Sequence, residues 1–135
     1  MEISASLIGD LMQRARAISL RAYAPYSKFP VGAAVLTPDG TIYAGANVEN
    51  ASYGLSMCAE RNAIFRAIAE GAKGIRAIAV YTPTRAPTPP CGACRQVMAE
   101  FGTDVLVICC SEDESAGQQY HLADLLPQAF GPGHL

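Results

Sequence analysis

The spacing of three cysteines constrains this chain more than any other feature of its sequence. They lie in two short segments, Cys58-Ala59-Glu60 and Pro90-Cys91-Gly92-Ala93-Cys94, which together supply three thiols and one carboxylate. A structural zinc site is closed by four protein ligands, whereas three ligands leave the fourth position to water. No histidine lies near either segment in the sequence. The pattern therefore predicts a hydrolytic zinc enzyme in which Glu60 takes a proton from that water.

A closed structural zinc site is the alternative for these residues. It would need a fourth ligand, for which Cys109 or Cys110 could be proposed. Both lie in an apolar segment without a second paired CxxC, so we interpret them as small buried hydrophobic residues. His121 and His134 lie in a polar C-terminal stretch, where surface positions account for them. Glu60 taken alone would be an ordinary acidic residue of a first helical turn, and only the flanking cysteines favour a chemical role.

Composition limits the class of protein. A chain of 135 residues fits one domain, residues 1–135, and no repeat or linker divides it. The formal net charge of −2 argues against a nucleic acid substrate. No apolar run approaches membrane-spanning length, and the first residues lack the pattern of a signal peptide. Five cysteines, three of them in metal-type spacing, favour metal binding over disulfides, so we predict a cytoplasmic protein.

Hydrophobic periodicity predicts four helices and four strands. The helices are an amphipathic stretch over residues 7–22, a second from about Cys58 to Gly71, a third from Cys91 to about Phe101, and a short last one over 122–126. The strands cover residues 30–36, 41–46, 75–81 and 105–110. A turn at residues 38–40 makes the first two strands a hairpin, and the helix between the last two makes them parallel. The result is a mixed sheet with helices on both faces.

Helix geometry predicts where the metal lies. Cys91 and Cys94 lie three residues apart at a helix start, so they share one face and can bind one ion. Cys58 and the carboxylate two residues later can reach the same ion only if Cys58 lies in the entry turn. We therefore predict zinc where the N-termini of the second and third helices converge, because positive helix ends lower thiol pKa values. Arg61 and Arg95 are candidate donors to the sulfurs, and Arg61 is the stronger of the two.

The two cysteine segments match the zinc deaminase signature, with cysteine as the first ligand. The chain resembles cytidine deaminases of the small, homotetrameric, three-cysteine zinc type, in the cytidine/deoxycytidylate deaminase superfamily. The likeness extends over almost the whole chain, in family order. It includes Tyr26-Ser27-Lys28-Phe29-Pro30-Val31-Gly32-Ala33-Ala34, Asn47-Val48-Glu49-Asn50-Ala51-Ser52-Tyr53, Cys58-Ala59-Glu60-Arg61, Pro90-Cys91-Gly92-Ala93-Cys94-Arg95-Gln96 and Leu125-Leu126-Pro127-Gln128-Ala129-Phe130-Gly131-Pro132.

The resemblance implies a fold, a reaction and a cofactor. The fold would be α/β, a three-layer α-β-α sandwich around a mixed five-stranded sheet. The reaction would be hydrolytic deamination of cytidine and 2′-deoxycytidine to uridine and 2′-deoxyuridine with release of ammonia, a step of pyrimidine salvage. Cys58, Cys91 and Cys94 would hold one Zn²⁺ per subunit, and Glu60 would carry protons to N3 and to the departing amino group. The expected partners are a nucleoside and further copies of the chain in a homotetramer.

The resemblance also implies contacts with the substrate. Asn47 and Glu49 match positions that bind ribose hydroxyls, and Phe29 matches the ring that packs against the pyrimidine. A carboxylate and an amide together can fix a sugar hydroxyl, and a buried Glu49 left unpaired would penalise a sugarless base. Without the resemblance, residues 47–50 could be only a polar turn and Phe29 ordinary core.

Three further positions match contacts of the family, and one departs from its pattern. The backbone of Ala59 would contact the base, while Tyr53 and Phe130 match positions contributed to a neighbouring subunit's site. Pro89 stands where relatives usually have Ser or Thr. Its carbonyl can still accept from the substrate's amino group, but a side-chain hydroxyl is lost and the loop is stiffer.

Three rival functions share parts of this pattern. A deaminase of the antibiotic blasticidin S has the same metal motif, but the ribose-type pair and the C-terminal tail favour a nucleoside. Polynucleotide editing is opposed by the acidic balance and by the lack of a stripe of basic and aromatic residues. A zinc-binding interaction module without catalysis would not need Glu60.

Overall fold

The computed structural model describes residues 2–114 and 117–135. Nine helices and strands lie within these ranges. In chain order they are α1 Ala5–Ser19, β1 Gly32–Leu36, β2 Ile42–Ala46, α2 Ala59–Ala69, β3 Ala77–Tyr81, α3 Gly92–Phe101, β4 Leu106–Cys110, β5 Gln118–His121 and α4 Leu122–Leu125. Short 3-10 turns cover Tyr53–Leu55 and Pro132–His134.

The five strands form one mixed sheet in the order β2-β1-β3-β4-β5. β1 pairs antiparallel with both β2 and β3, and β4 pairs antiparallel with β5. β3 and β4 run parallel, with Ala79 opposite Ile108, and α3 connects them. The predicted hairpin and the predicted parallel pair are therefore both confirmed.

Helices cover both faces of the sheet. Successive residues of the central strands point to opposite faces, and the residues on each face are apolar. On one face, Leu11 and Ala15 of α1 pack with Ala34, Leu36 and Ile108. On the other face, α2 and α3 pack against the sheet through a larger cluster of buried side chains. That cluster includes Ala63, Ile64, Ala67 and Met98 of the helices with Ala33, Val35, Ile78, Val80 and Val107 of the sheet. The three-layer α-β-α sandwich is confirmed, and it places α2 and α3 side by side.

The end of the first helix and one strand differ from the prediction. α1 ends at Ser19, where the serine hydroxyl donates to the Arg16 carbonyl at 2.6 Å, so Ala22 lies beyond the helix. The second helix stops as predicted, with Gly71 in the left-handed region at φ +98°. β5 could not be predicted from periodicity, since Gln118–His121 is polar and largely exposed at the sheet edge. The fifth strand was implied by the family resemblance alone.

Within residues 2–114 and 117–135, none of the helices has the length and apolar character needed to cross a lipid bilayer.

Two glycines allow the helices to approach the sheet closely. A Cβ on Gly32 of β1 would lie 1.9 Å from the carbonyl oxygen of Ala15 in α1. A Cβ on Gly45 of β2 would lie 2.5 Å from the backbone nitrogen of Ala63 in α2. Both obstacles are backbone atoms, which cannot move aside as a side chain could. The position of α2, and of the metal site at its start, therefore depends on a backbone-to-backbone contact.

We expect Gly32→Ala to lower the free energy of unfolding by about 3 kcal/mol, the upper part of the range for overpacked cores. The methyl group would force α1 away from β1 because Ala15 offers only backbone at that point. Gly9→Ala is the matched control, since a Cβ at this position of α1 meets no atom within 4 Å. The control is expected to raise stability by about 0.5–1 kcal/mol through helix propensity. Urea unfolding of both zinc-loaded variants measures the difference in their free energies of unfolding. Equal values for the two variants would contradict the close contact between β1 and α1.

Candidate active site

The three predicted sulfur ligands lie together at the start of two helices. Cys58 is the N-cap of α2, Cys91 is the N-cap of α3, and Cys94 lies in the first turn of α3. Their Sγ atoms all lie within 4.8 Å of one another, and those of Cys91 and Cys94 are 3.4 Å apart. The predicted convergence of the two helix N-termini is therefore confirmed.

This donor set fits one zinc ion with an open position. Three thiols are the soft ligands that zinc accepts in tetrahedral sites, and three protein ligands leave the fourth position to water or substrate. Among the described residues, Cys58, Cys91 and Cys94 are the one group of three candidate ligand side chains close enough for a metal. Cys109 and Cys110 are instead buried in β4, and burial raises their thiol pKa values to about 11 and about 12.

The electrostatics of the cluster favour a thiolate at Cys58. A hydrogen bond from the Cys94 thiol, together with the Arg61 guanidinium, lowers the pKa of Cys58 to about 5. Arg61 donates from Nη2 to the Cys58 sulfur at 3.2 Å, and its own pKa is raised by that thiolate. The same hydrogen bond and burial raise the pKa of Cys94. A Zn²⁺ ion held by the three thiolates would offset two of their three negative charges.

The carboxyl group of Glu60 is buried beside these sulfurs. Glu60 follows Ala59 in the first turn of α2. Glu60 is 6% exposed and Ala59 is fully buried. Burial, and then the nearby Cys58 thiolate, raises the pKa of the Glu60 carboxyl above its usual range. A carboxyl held in this way exchanges protons more readily near neutral pH than an exposed glutamate does.

The two candidate arginines have different positions. Arg61 contacts sulfur, as predicted for the stronger candidate. Arg95 donates from Nε to the Pro90 carbonyl and from Nη1 to the Leu125 carbonyl, both at 2.8 Å. It therefore fixes the loop before Cys91 to the end of α4. This role depends on a contact between residues that are far apart in the sequence.

Hydrogen bonds attach Asn47 and Glu49 to residues 26–31, the segment that contains Phe29. The side-chain carbonyl of Asn47 accepts from the Val31 amide at 2.9 Å, and its amide group donates to the Phe29 carbonyl at 2.9 Å. Glu49 accepts from the backbone amides of Tyr26 and Ser27 at 3.0 and 3.1 Å. The Ser27 hydroxyl also donates to Glu49, and this bond is the main cause of the lowered pKa of the Glu49 carboxyl.

A cavity of about 320 Å³ lies next to this group. It is lined by Tyr26, Ser27, Glu49, Tyr53 and Ser56. Glu49 and Tyr53 were predicted as substrate contacts, and the aromatic rings of Tyr26 and Tyr53 lie 6.1 Å apart. No role was predicted for Tyr26, Ser27 or Ser56. The only available signal was that Tyr26 and Ser27 belong to a segment shared with the resembled family.

Phe130 and Pro89 lie outside that cavity lining. Phe130 is 59% exposed, its carbonyl accepts from Gln96 at 2.8 Å, and its ring stacks on His134 at 5.4 Å. The surface placement of His134 was predicted, as was that of His121, which lies 3.4 Å from Asp104. Pro89 is exposed and precedes the buried Pro90 in the loop that leads to Cys91.

Comparison with known proteins decides the family. Residues 6–110 match the family model described as the cytidine and deoxycytidylate deaminase zinc-binding region. The chain belongs to this deaminase family. The resemblance stated from the sequence motifs is thereby confirmed, and so is the zinc-binding character of the cysteine cluster.

Relatives and solved structures of the deaminase family match most of this chain. It is 48% identical over 110 residues to a cytidine deaminase of Sporosarcina psychrophila, covering 82% of this chain and 81% of the relative. It is 51% identical over 109 residues to a cytidine deaminase of Halalkalibacterium halodurans, covering 81% and 83%. A crystal structure of cytidine deaminase from Burkholderia pseudomallei superposes with a TM-score of 0.87 at 46% identity, covering 95% of this chain and all of that one.

Proposed function

We propose that this chain catalyses the zinc-dependent hydrolytic deamination of cytidine and 2′-deoxycytidine to uridine and 2′-deoxyuridine, with release of ammonia. The observation that carries the proposal is the buried Glu60 carboxyl beside a three-sulfur cluster that lacks a fourth protein ligand among the described residues. Such a site fits hydrolysis better than a structural metal. Relatives at about half identity that are named cytidine deaminases support the substrate.

The residues of the chain divide the chemistry between them. Cys58, Cys91 and Cys94 would hold one Zn²⁺, which when bound acts as a Lewis acid and makes water a competent nucleophile near neutral pH. Glu60 accepts a proton from the attacking water and delivers it to N3 of the cytosine ring. It then takes the proton of the new C4 hydroxyl and passes it to the amino group, which leaves as ammonia as the C4–N bond breaks and the C4 carbonyl forms. Arg61 holds the Cys58 sulfur by its hydrogen bond and so keeps one ligand in position.

The nucleoside is bound by Glu49, which lines the cavity, and by three residues outside its lining. We assign the sugar hydroxyls to Asn47 and Glu49, the face of the base to Phe29, and a backbone contact with the base to Ala59. The cavity lining includes the Glu49 carboxylate and no basic side chain. A phosphate on the sugar would be repelled by that charge, so a nucleoside fits better than a nucleotide.

We infer a single domain over residues 1–135, a cytoplasmic location and a role in pyrimidine salvage. We also infer a homotetramer in which Tyr53 and Phe130 complete the site of a neighbouring copy. Their exposed fractions of 75% and 59% support this, because large apolar side chains exposed near a site commonly mark an interface.

Purified protein is expected to cause loss of ultraviolet absorbance with cytidine and 2′-deoxycytidine, because the cytosine chromophore is converted to uracil. Removal of zinc with a chelator should abolish the signal, and added zinc should restore it. Mass measurement in solution tests the tetramer in the same preparation. Inertness toward both nucleosides, with turnover of blasticidin S or of deoxycytidylate instead, would contradict the proposed substrate.

A further inference from the structure

We propose that Ser27 is a positioning residue whose hydroxyl joins the base-contacting and sugar-contacting parts of the nucleoside site into one unit. The inference rests on the proposed function, because it takes Phe29 and Glu49 as the residues that meet the base and the sugar. Ser27 lines the cavity beside Glu49 but needs no contact with the nucleoside itself.

The Ser27 hydroxyl makes two hydrogen bonds in opposite roles. Its oxygen accepts from the backbone amide of Phe29 at 3.1 Å, and its proton is donated to Oε2 of Glu49. The result is a continuous chain from the Phe29 amide through the hydroxyl to the carboxylate. Each bond in such a chain polarises the next, so the bonds strengthen one another. A single hydroxyl therefore couples the backbone of one predicted contact to the charge of the other.

The backbone between Ser27 and Phe29 needs this support. Lys28 has a φ of +58°, in the left-handed region that residues other than glycine seldom adopt. Its amide donates to the Ala24 carbonyl at 3.1 Å, which closes the turn before it. The Ser27–Phe29 bond closes the turn after it. The direction in which Phe29 leaves the turn thus depends on the Ser27 hydroxyl.

The same hydroxyl determines which acceptor site of Glu49 remains for a ligand. A carboxylate has about four lone-pair sites, two on each oxygen. Oε1 accepts from the Tyr26 and Ser27 amides, and Oε2 accepts from the Ser27 hydroxyl. Within the described contacts, one site on Oε2 is left for a sugar hydroxyl. Without the Ser27 hydroxyl, Oε2 would lose the bond that directs this site toward the cavity.

The test compares Ser27→Ala with Ser27→Thr, which keeps the hydroxyl. The readouts are the inhibition constants of uridine and of 2′,3′-dideoxyuridine against cytidine deamination, since the second ligand lacks the sugar hydroxyls at C2′ and C3′. We expect Ser27→Ala to raise the constant for uridine about 10-fold, as loss of a hydrogen bond to a charged group does. The constant for dideoxyuridine should rise by no more than about 3-fold, through the altered direction of Phe29 alone. Ser27→Thr should restore both constants to within about 2-fold of the parent values.

A matched control separates this effect from a general loss of structure. Ser52→Ala removes another exposed serine hydroxyl, one that does not cap the 3-10 turn after it, and should leave both constants unchanged. Because Ser27 is exposed, its replacement should shift the thermal midpoint by no more than about 4 °C. If Ser27→Ala does not fold, Ser27→Cys, with a weaker donor of similar size, is judged by the same ratios.

Three outcomes would overturn the inference. In the first, Ser27→Ala raises the inhibition constants of uridine and dideoxyuridine by equal factors. In the second, Ser27→Ala leaves both constants unchanged. In the third, Ser27→Thr binds the two ligands as weakly as Ser27→Ala does. These outcomes are distinguishable from failure of the proposed function. In that case the parent protein itself would not deaminate cytidine, whereas here the parent remains active.

Discussion

Glu60→Gln is expected to lower kcat/KM for cytidine by about 10³-fold or more while the protein keeps its fold and one zinc per chain. Glutamine has nearly the same shape as glutamate but cannot accept the proton of water or deliver one to N3. Because Glu60 is buried and burial raises its pKa, a neutral amide at this position does not cost stability by leaving a charge unpaired.

The measurement combines turnover of cytidine, zinc content and circular dichroism. Glu70→Gln is the matched control, since Glu70 is the exposed C-cap at the other end of the same helix. It should retain activity within about 2-fold, as surface substitutions away from special features usually have small effects. Activity within about tenfold of the parent in Glu60→Gln, at normal zinc content, would remove the proposed proton carrier, since general acid–base catalysis contributes at least about 10²-fold.

Cys94→Ala is expected to reduce zinc content from about one ion per chain to less than about 0.1 after dialysis and to abolish detectable turnover, because two ligands do not hold zinc in a protein site. Cys94 is fully buried, and its sulfur contacts those of both Cys58 and Cys91.

Metal analysis of the dialysed protein and the cytidine assay check this result together. Cys110→Ala is the control, because Cys110 is buried on the α1 side of the sheet and its sulfur contacts only the Val80 carbonyl among the described hydrogen bonds. It should keep one zinc per chain and its activity, with some loss of stability. A Cys94→Ala protein that retained stoichiometric zinc and full turnover would show that the metal site has been placed wrongly.

Local patterns in the sequence were sufficient for most of the fold. Helix starts at Cys58 and Cys91 and the stop at Gly71 depend on neighbours a few residues away, so they could be predicted to within one residue. The central strands are continuous apolar runs, since both of their faces are covered. The edge strand β5 has no local start or stop signal and is not an apolar run. It is polar and pairs only with β4. Its existence is decided by a partner that lies outside its own segment.

The sequence by itself identified the three cysteines and Glu60, because zinc requires particular donor atoms and the spacings within residues 58–60 and within residues 91–94 are short-range. The tertiary structure decided how the remaining polar groups are used. Arg61 contacts sulfur while Arg95 contacts the Pro90 and Leu125 carbonyls, although each follows a metal motif in the same way. Ser27 and Glu49 likewise meet only when the chain folds back on itself. Hydrogen bonds act over about 3 Å in space, and no pattern within either segment specifies which distant segment will supply the partner.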